Sequence, residues 1–282
     1  MKKIFFVLIC AVFIGLGMKP SSAQQINEAP QNGLYKDDGL TNKKPIPYSS
    51  LRRADVMWQK RIWRVVDFRE KMNQPFYFPM EPQGNWRSFI QIIMDALKTG
   101  EITAYDISAT DEFLAPMSYW EVVNRQTDTI HRTLQRPYPP YDQYDTVIYK
   151  EFDPAAVLQL RIKEDWYFDK QRSEMMVRII GLCPVIIRDR DGEEVPEPLF
   201  WIYFPEARNV LAKAQIYNRF NDAERRTYDE VFWKRMFSSY IYKESNVYDR
   251  RIAEYLTGID ALFEAERIKN NLFNFEQSLW EF

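Results

Sequence analysis

From Leu158 to Asp169 the chain alternates with a period of two. Leu158, Leu160, Ile162, Trp166 and Phe168 share one parity, while Arg161, Lys163, Asp165 and Asp169 take the other. Successive side chains of a strand point to opposite faces, so the stretch is predicted as a half-buried strand. Lys170–Ser173 supplies a turn. Met175–Ile187 then runs apolar except for Arg178, with Gly181 and Pro184 marking a bulge or an edge. Asp189-Arg190-Asp191-Gly192 is a second turn signal, and Leu199–Phe204 completes a three-stranded antiparallel meander.

Helical periodicity flanks this meander. Asn85 is a start signal, after which Trp86, Phe89, Ile93 and Leu97 step by three and four, and Gly100 stands where a helix ends. A second helix is expected over Met117–Arg125. After Ser50 the pattern fits two structures: Leu51, Val56, Ile62, Val65 and Val66 fit a helix, while Ile62, Arg64, Val66 and Phe68 alternate as in a strand. The last 80 or so residues read as helical. Tyr228, Val231, Phe232 and Met236 mark one face, and Ile252, Tyr255, Ile259 and Leu262 a second. Ala261, Ala265, Ile268, Leu272, Phe275 and Leu279 form a stripe that fits packing on the domain or on a neighbouring subunit. The expected fold class is α+β, with a small antiparallel sheet in the middle, flanking helices and a helical C-terminal region. The corresponding segments are a leader at 1–23, a flexible arm at 24–49, an α-rich part at 50–136, a Pro/Tyr-rich connection at 137–145, the β meander at 146–205 and the helical region at 206–282. The arm is read as disordered because its Gln, Asn, Gly and Pro bury too little surface to offset ordering entropy.

The leader sets the compartment. Lys2 and Lys3 precede the apolar run Ile4–Gly17, and Ser21-Ser22-Ala23 offers small residues for cleavage before Gln24. The 14-residue run is shorter than the roughly 20 residues a bilayer requires, so a removable export signal is expected, with a soluble periplasmic product. Cys10 lies too early in the run, and after bulky Ile9, to be a lipid attachment site. Removing Lys2, Lys3 and Lys19 leaves 35 basic residues of 38 against 40 acidic ones, so net charge moves from −2 to −5. That balance disfavours nucleic-acid binding. The product keeps one cysteine, Cys183, and forms no internal disulfide.

Residue inventory limits the chemistry. With His131 the only histidine and Cys183 the only mature cysteine, a zinc site of His and Cys ligands is out of reach. His131 lies in a polar stretch, far from a nucleophile elbow. Cys183 sits in an apolar strand, where an inert thiol is expected. Nine glycines form no phosphate-binding loop. The acids around Gly192 lack calcium-loop spacing, and Arg188 and Arg190 oppose a cation there. No catalytic residue, metal or cofactor is expected. A carboxylate pair of the glycosidase type stays open on sequence alone.

The run Trp58–Lys71 interleaves aromatic and basic residues. Trp and Arg are the types that most often anchor interfaces, which makes Trp58, Arg61, Trp63, Arg64 and Arg69 candidate contact residues. Ile268, Leu272 and Phe275 of the terminal stripe join them. The alternative is that these arginines pair with Asp67 and Glu70 on the chain's own surface.

Within that run, Arg64-Val65-Val66-Asp67-Phe68-Arg69-Glu70-Lys71-Met72-Asn73-Gln74-Pro75 resembles the GldN/PorN family of Bacteroidetes gliding-motility proteins. Gly100-Glu101-Ile102-Thr103-Ala104-Tyr105-Asp106 and the closing Trp280-Glu281-Phe282 fit the same family. The resemblance implies a structural subunit of a periplasmic ring in the type IX secretion system. It implies pairing with an outer-membrane lipoprotein of the GldK/PorK type, contact with the inner-membrane motor component GldM/PorM, self-association in a ring, and a role in protein export and gliding. The competing readings are a secreted carboxylate-dependent hydrolase and a periplasmic chaperone or binding module for secreted clients.

Overall fold

The segment after Ser50 is a strand, β1 (Val56–Asp67). A computed structural model describes residues 42–279, apart from 109, 127, 140, 141, 151, 191 and 222. The leader, the arm before residue 42 and the closing tripeptide lie outside the described residues. After β1 come the short helix α1 (Gln74–Tyr77) and helix α2 (Phe89–Thr99). Helix α2 starts at Ser88, not Asn85, because the Gln91 side chain accepts the Ser88 N–H at 3.1 Å. Trp86 is held outside it by paired backbone bonds with Gln83, 3.0 Å each way. At its other end Gly100 takes φ 76°, the left-handed conformation that ends a helix without steric cost.

Strands β2 (Ala104–Tyr105) and β3 (Pro116–Met117) pair with each other, so Met117 lies in a strand and the next helix, α3, covers Tyr119–Gln126. The ribbon β4 (Asp128–Gln135) and β5 (Gln143–Lys150) follows as an antiparallel pair. The meander consists of β6 (Val157–Asp169), β7 (Glu174–Arg190), β8 (Glu193–Pro198) and β9 (Trp201–Tyr203). Helix α4 (Phe204–Leu211), the pair β10 (Gln215–Ile216) and β11 (Arg226–Thr227), helix α5 (Tyr228–Trp233), strand β12 (Tyr240–Glu244) and helix α6 (Ile259–Ser278) complete the chain.

The architecture is α+β. Its antiparallel sheet runs β12-β1-β6-β7-β9-β2-β3, with β8 also on β7. It is broader than the three-stranded meander because β1 and β12, distant in sequence, pair beside β6. The turn at Lys170–Ser173 joins β6 to β7 as expected. Pro184, which has no N–H to donate, sits where the outer neighbour of β7 changes from β9 to β8. Its carbonyl accepts the Leu199 N–H at 3.0 Å.

Cross-strand partners share a face of a sheet, so the pairs Val66–Leu160 and Ile62–Glu164 place the even residues of β1 and β6 together. Helices α1, α2, α4 and α5 cover one end of this face. Phe76 packs there against Phe89, Tyr228 and Phe232, with ring centroids 5.4 to 6.1 Å apart. Helix α6 covers the other end, where Ile268 and Leu272 meet Ile62 and Ile241.

The charged row of β6 lies on the opposite face, and it is buried as well. Exposure is 9% at Arg161 and Asp165 and 2% at Lys163. The half-buried expectation fails here because the loop before β3 and strand β12 cover the row. The Lys163 ammonium donates to the Asp111 carbonyl at 2.7 Å and pairs with its carboxylate at 3.1 Å. The Arg161 guanidinium lies 5.2 Å from the Tyr242 ring centroid.

Gly181 marks the bulge that the sequence suggested, since the β6–β7 register shifts between Lys163 and Glu164, opposite it. A Cβ at this position would stand 2.6 Å from Phe113 Cζ. Gly181→Val is therefore expected to destabilise the chain by about 1–3 kcal/mol through overpacking, read as a lower urea midpoint. Phe113→Ala in the same chain should return part of the loss, and an unchanged midpoint in Gly181→Val would refute the close packing.

Residues 42–49 correct the flexible-arm expectation, because they are docked on the body. Arg208 donates to the Ile46 carbonyl at 2.7 Å and Arg178 to the Ser49 carbonyl at 2.5 Å. The Tyr48 ring centroid is 4.4 Å from the Arg208 guanidinium and 5.0 Å from that of Arg178. Lys43 pairs with Glu230 at 2.7 Å. Counting apolar anchors missed this attachment, which uses backbone carbonyls, one ring and one ion pair.

Candidate interaction surface

The Trp58–Arg69 run is threaded through the sheet. Arg64, 7% exposed, donates through Nε to Glu164, whose side chain is fully buried. Arg235 reaches the same carboxylate at 2.8 Å and the Trp166 indole N–H donates to it at 2.8 Å. Burial would raise the proton affinity of Glu164. The charges of Arg235 and Arg64, with their hydrogen bonds, outweigh it and hold the carboxyl below its ordinary value. On the opposite face the Trp63 indole N–H donates to Asp111 at 2.6 Å. The Lys243 ammonium lies 4.5 Å from its ring centroid, a cation–π geometry.

Four of the eight candidate contact residues are thus interior: Trp63, Arg64, Ile268 and Leu272 are each at most 7% exposed. They correct the reading that this surface meets a partner, because the chain's own sheet and α6 occupy it. Trp58 and Phe275 stack on each other at 4.7 Å, joining β1 to α6. Arg61 forks onto Asp165 at 2.7 and 2.9 Å. Arg69, the most exposed of the group, clasps Asp67 at 2.8 Å and Glu194 at 3.0 Å. The pairing alternative fits better, on a strand and with partners largely distant in sequence.

An apolar surface that remains open lies on the outer face of α6. Ala265, Ile268 and Leu272 point inward. At about 100° per residue Ile259, Leu262, Phe263 and Phe273 fall on the other side, with exposures of 68%, 64%, 69% and 55%. The Tyr255 hydroxyl donates to Glu264 at 3.4 Å, which ties the preceding loop to the flank of α6 near Ile268. Tyr248 and Tyr255 flank the Arg250 guanidinium at 4.3 and 5.7 Å, and Val247 is 98% exposed. Exposed apolar rows such as that on α6 mark contact sites.

Sequence reading missed this face by joining Ile259 and Leu262 to Ile252 and Tyr255 as one stripe. Ile252 instead belongs to a separate 3₁₀ turn, and Gly258 at φ 60° resets the direction before α6. A wheel drawn for 259–278 alone carries both stripes.

Reactive groups elsewhere are subdued. The buried Cys183 thiol is pushed up to about 12 by desolvation, which leaves it protonated at neutral pH. His131 stands on β4 opposite Val147. Among the described residues no group of three or more His, Cys, Asp or Glu is placed to hold a metal ion, and no helix is long and apolar enough to cross a membrane. Among the described residues the carboxyls with shifted proton affinity, Asp111 and Glu164 among them, are held below their ordinary values. A glycosidase general acid needs the opposite shift.

A sequence model of the family described as "Gliding motility associated protein GldN" matches residues 51–281. No curated protein matches the chain.

Proposed function

Because the chain belongs to the GldN family of gliding motility associated proteins, we propose that it is a non-catalytic structural subunit of a periplasmic ring that serves type IX protein secretion and gliding. It is exported, held at the outer membrane through a GldK/PorK-type lipoprotein, and contacts the periplasmic part of a GldM/PorM-type motor component. The observation that carries this reading is the family match over the whole described fold from residue 51 onward, joined to the apolar outer face of α6. A closed ring needs two different surface patches per subunit that mate head to tail. The outer face of α6 supplies one.

Co-expression with the lipoprotein, followed by mass determination in solution and electron microscopy, tests the proposal. Co-elution as a high-mass, closed particle is expected. A chain that stays monomeric and never retains the lipoprotein defeats the reading.

A further inference from the structure

A second open surface has a different chemistry. Between α1, β10 and α5 lies a cleft of about 420 Å³. Its floor is apolar and fixed: Phe76, Ile216 and Val231 are at most 5% exposed. Its lip is apolar and open, with Met72 57% and Phe220 83% exposed. Met236 joins Met72 in the lining, and methionines give a binding wall that adapts to differently shaped side chains.

The charged side chains that line this cleft have one sign. Lys71, Arg219 and Arg226 line it, and no acidic residue does. Arg226 is neutralised by Glu224 at 2.6 Å. Lys71 and Arg219 have no carboxylate partner among the described residues, and the Arg219 guanidinium lies 5.0 Å from the Phe220 ring centroid. A cavity of this size holds a large apolar group, and two unpaired cations at its mouth attract negative charge beside that group.

We infer that this cleft docks an acidic peptide segment of a partner protein, with a large apolar side chain of the segment inserted over Phe76 and Val231. A peptide fits better than an acyl chain. The cleft is open to the surface along the Tyr217–Phe220 turn, so an inserted side chain is covered while its backbone and flanking carboxylates stay at the lip beside Lys71 and Arg219. The inference goes beyond the ring proposal and requires only a folded single chain.

Random-peptide display against the immobilised chain tests it, followed by fluorescence anisotropy of the selected peptides. Selected sequences should carry Phe, Trp, Leu or Ile flanked by Asp and Glu. Their affinity should fall about tenfold or more for Lys71→Glu/Arg219→Glu, whose two exposed changes should leave the melting curve unaltered. If that variant melts early, Lys71→Gln/Arg219→Gln carries the same comparison with an expected loss of several-fold. Absence of acidic-apolar enrichment, or equal binding by the charge variants, overturns the inference. So does saturable binding of submicellar palmitate with no peptide selected, which would assign the cleft to an anionic amphiphile.

Discussion

Replacing Glu164 by Gln should destabilise the chain by about 3–5 kcal/mol, because it leaves buried arginine charge without its counter-charge. Glu164 is fully buried, the Arg64 side chain is 8% exposed, and the Arg235 side chain, at 30%, is only partly able to turn to water. The Arg64 guanidinium lies 5.7 Å from the Trp166 ring centroid, with Leu272 of α6 among the neighbouring groups. At 8% exposure Arg64 recovers little hydration in place of the lost carboxylate. For a domain of this size such a loss lowers the melting temperature by roughly 6–20 °C. A drop below about 1 kcal/mol would show that the pair is not the anchor described here. Exchanging Glu164, Arg64 and Arg235 together for apolar residues is expected to be far milder than the single change, since no charge is then stranded.

The same carboxylate sets a pH signature. Its folded pKa lies below the ordinary glutamate value of about 4.5, so its stabilisation is complete above the unfolded value and is lost as pH falls through the folded one. Wild type should thus lose its advantage over Glu164→Gln as pH drops below about 4.5, and the two melting temperatures should converge. Convergence on raising the pH instead would have the wrong sign for a depressed carboxyl.

What the sequence displayed and what it hid follow from distance along the chain. The β6–β7 hairpin is legible because its period of two and its turn at Lys170–Ser173 are local. The inner stripe of α6 is legible for the same reason, since Ala265, Ile268 and Leu272 step by three and four. β1 is ambiguous, because Ile62, Arg64 and Val66 satisfy either period until β6 and β12 pair with it. The burial of charge is not legible at all. Glu164 meets Arg64 and Arg235 across 100 and 71 residues, and an isolated strand pattern assigns each charge to water. The cationic cleft is hidden likewise, since Lys71, Arg219 and Val231 come from separate segments. The family resemblance at Arg64–Pro75 therefore rested on residues that turn out to be largely structural: Arg64 and Asn73 are buried, and the Asn73 amide donates to the Asp67 and Ser238 carbonyls at 2.8 and 2.9 Å.

The two faces of α6 should respond in opposite ways to the same substitution. Ile268→Asp places a carboxylate at a position 2% exposed among Ile62, Ile241 and Ile252. The nearest guanidiniums, those of Arg64 and Arg235 on the Trp166 ring, are committed to Glu164, so a loss of about 3 kcal/mol or more is expected. Because α6 is the last element described, this loss should appear first as release of the helix, read as lower helical ellipticity before the sheet melts. Phe263→Asp, on the outer face and 69% exposed, should change stability by less than about 0.5 kcal/mol. Its effect should fall on assembly instead: paired with Leu262→Asp, it should abolish the high-mass particle formed with the lipoprotein. If Ile268→Asp melts like wild type, α6 is not held by its inner stripe. If the outer-face pair assembles normally, the ring contact lies elsewhere and the exposed apolar row needs another occupant. Both results come from one pair of measurements, a melting curve and a solution mass. The inner substitution serves as the control that separates a failed interface from a failed fold.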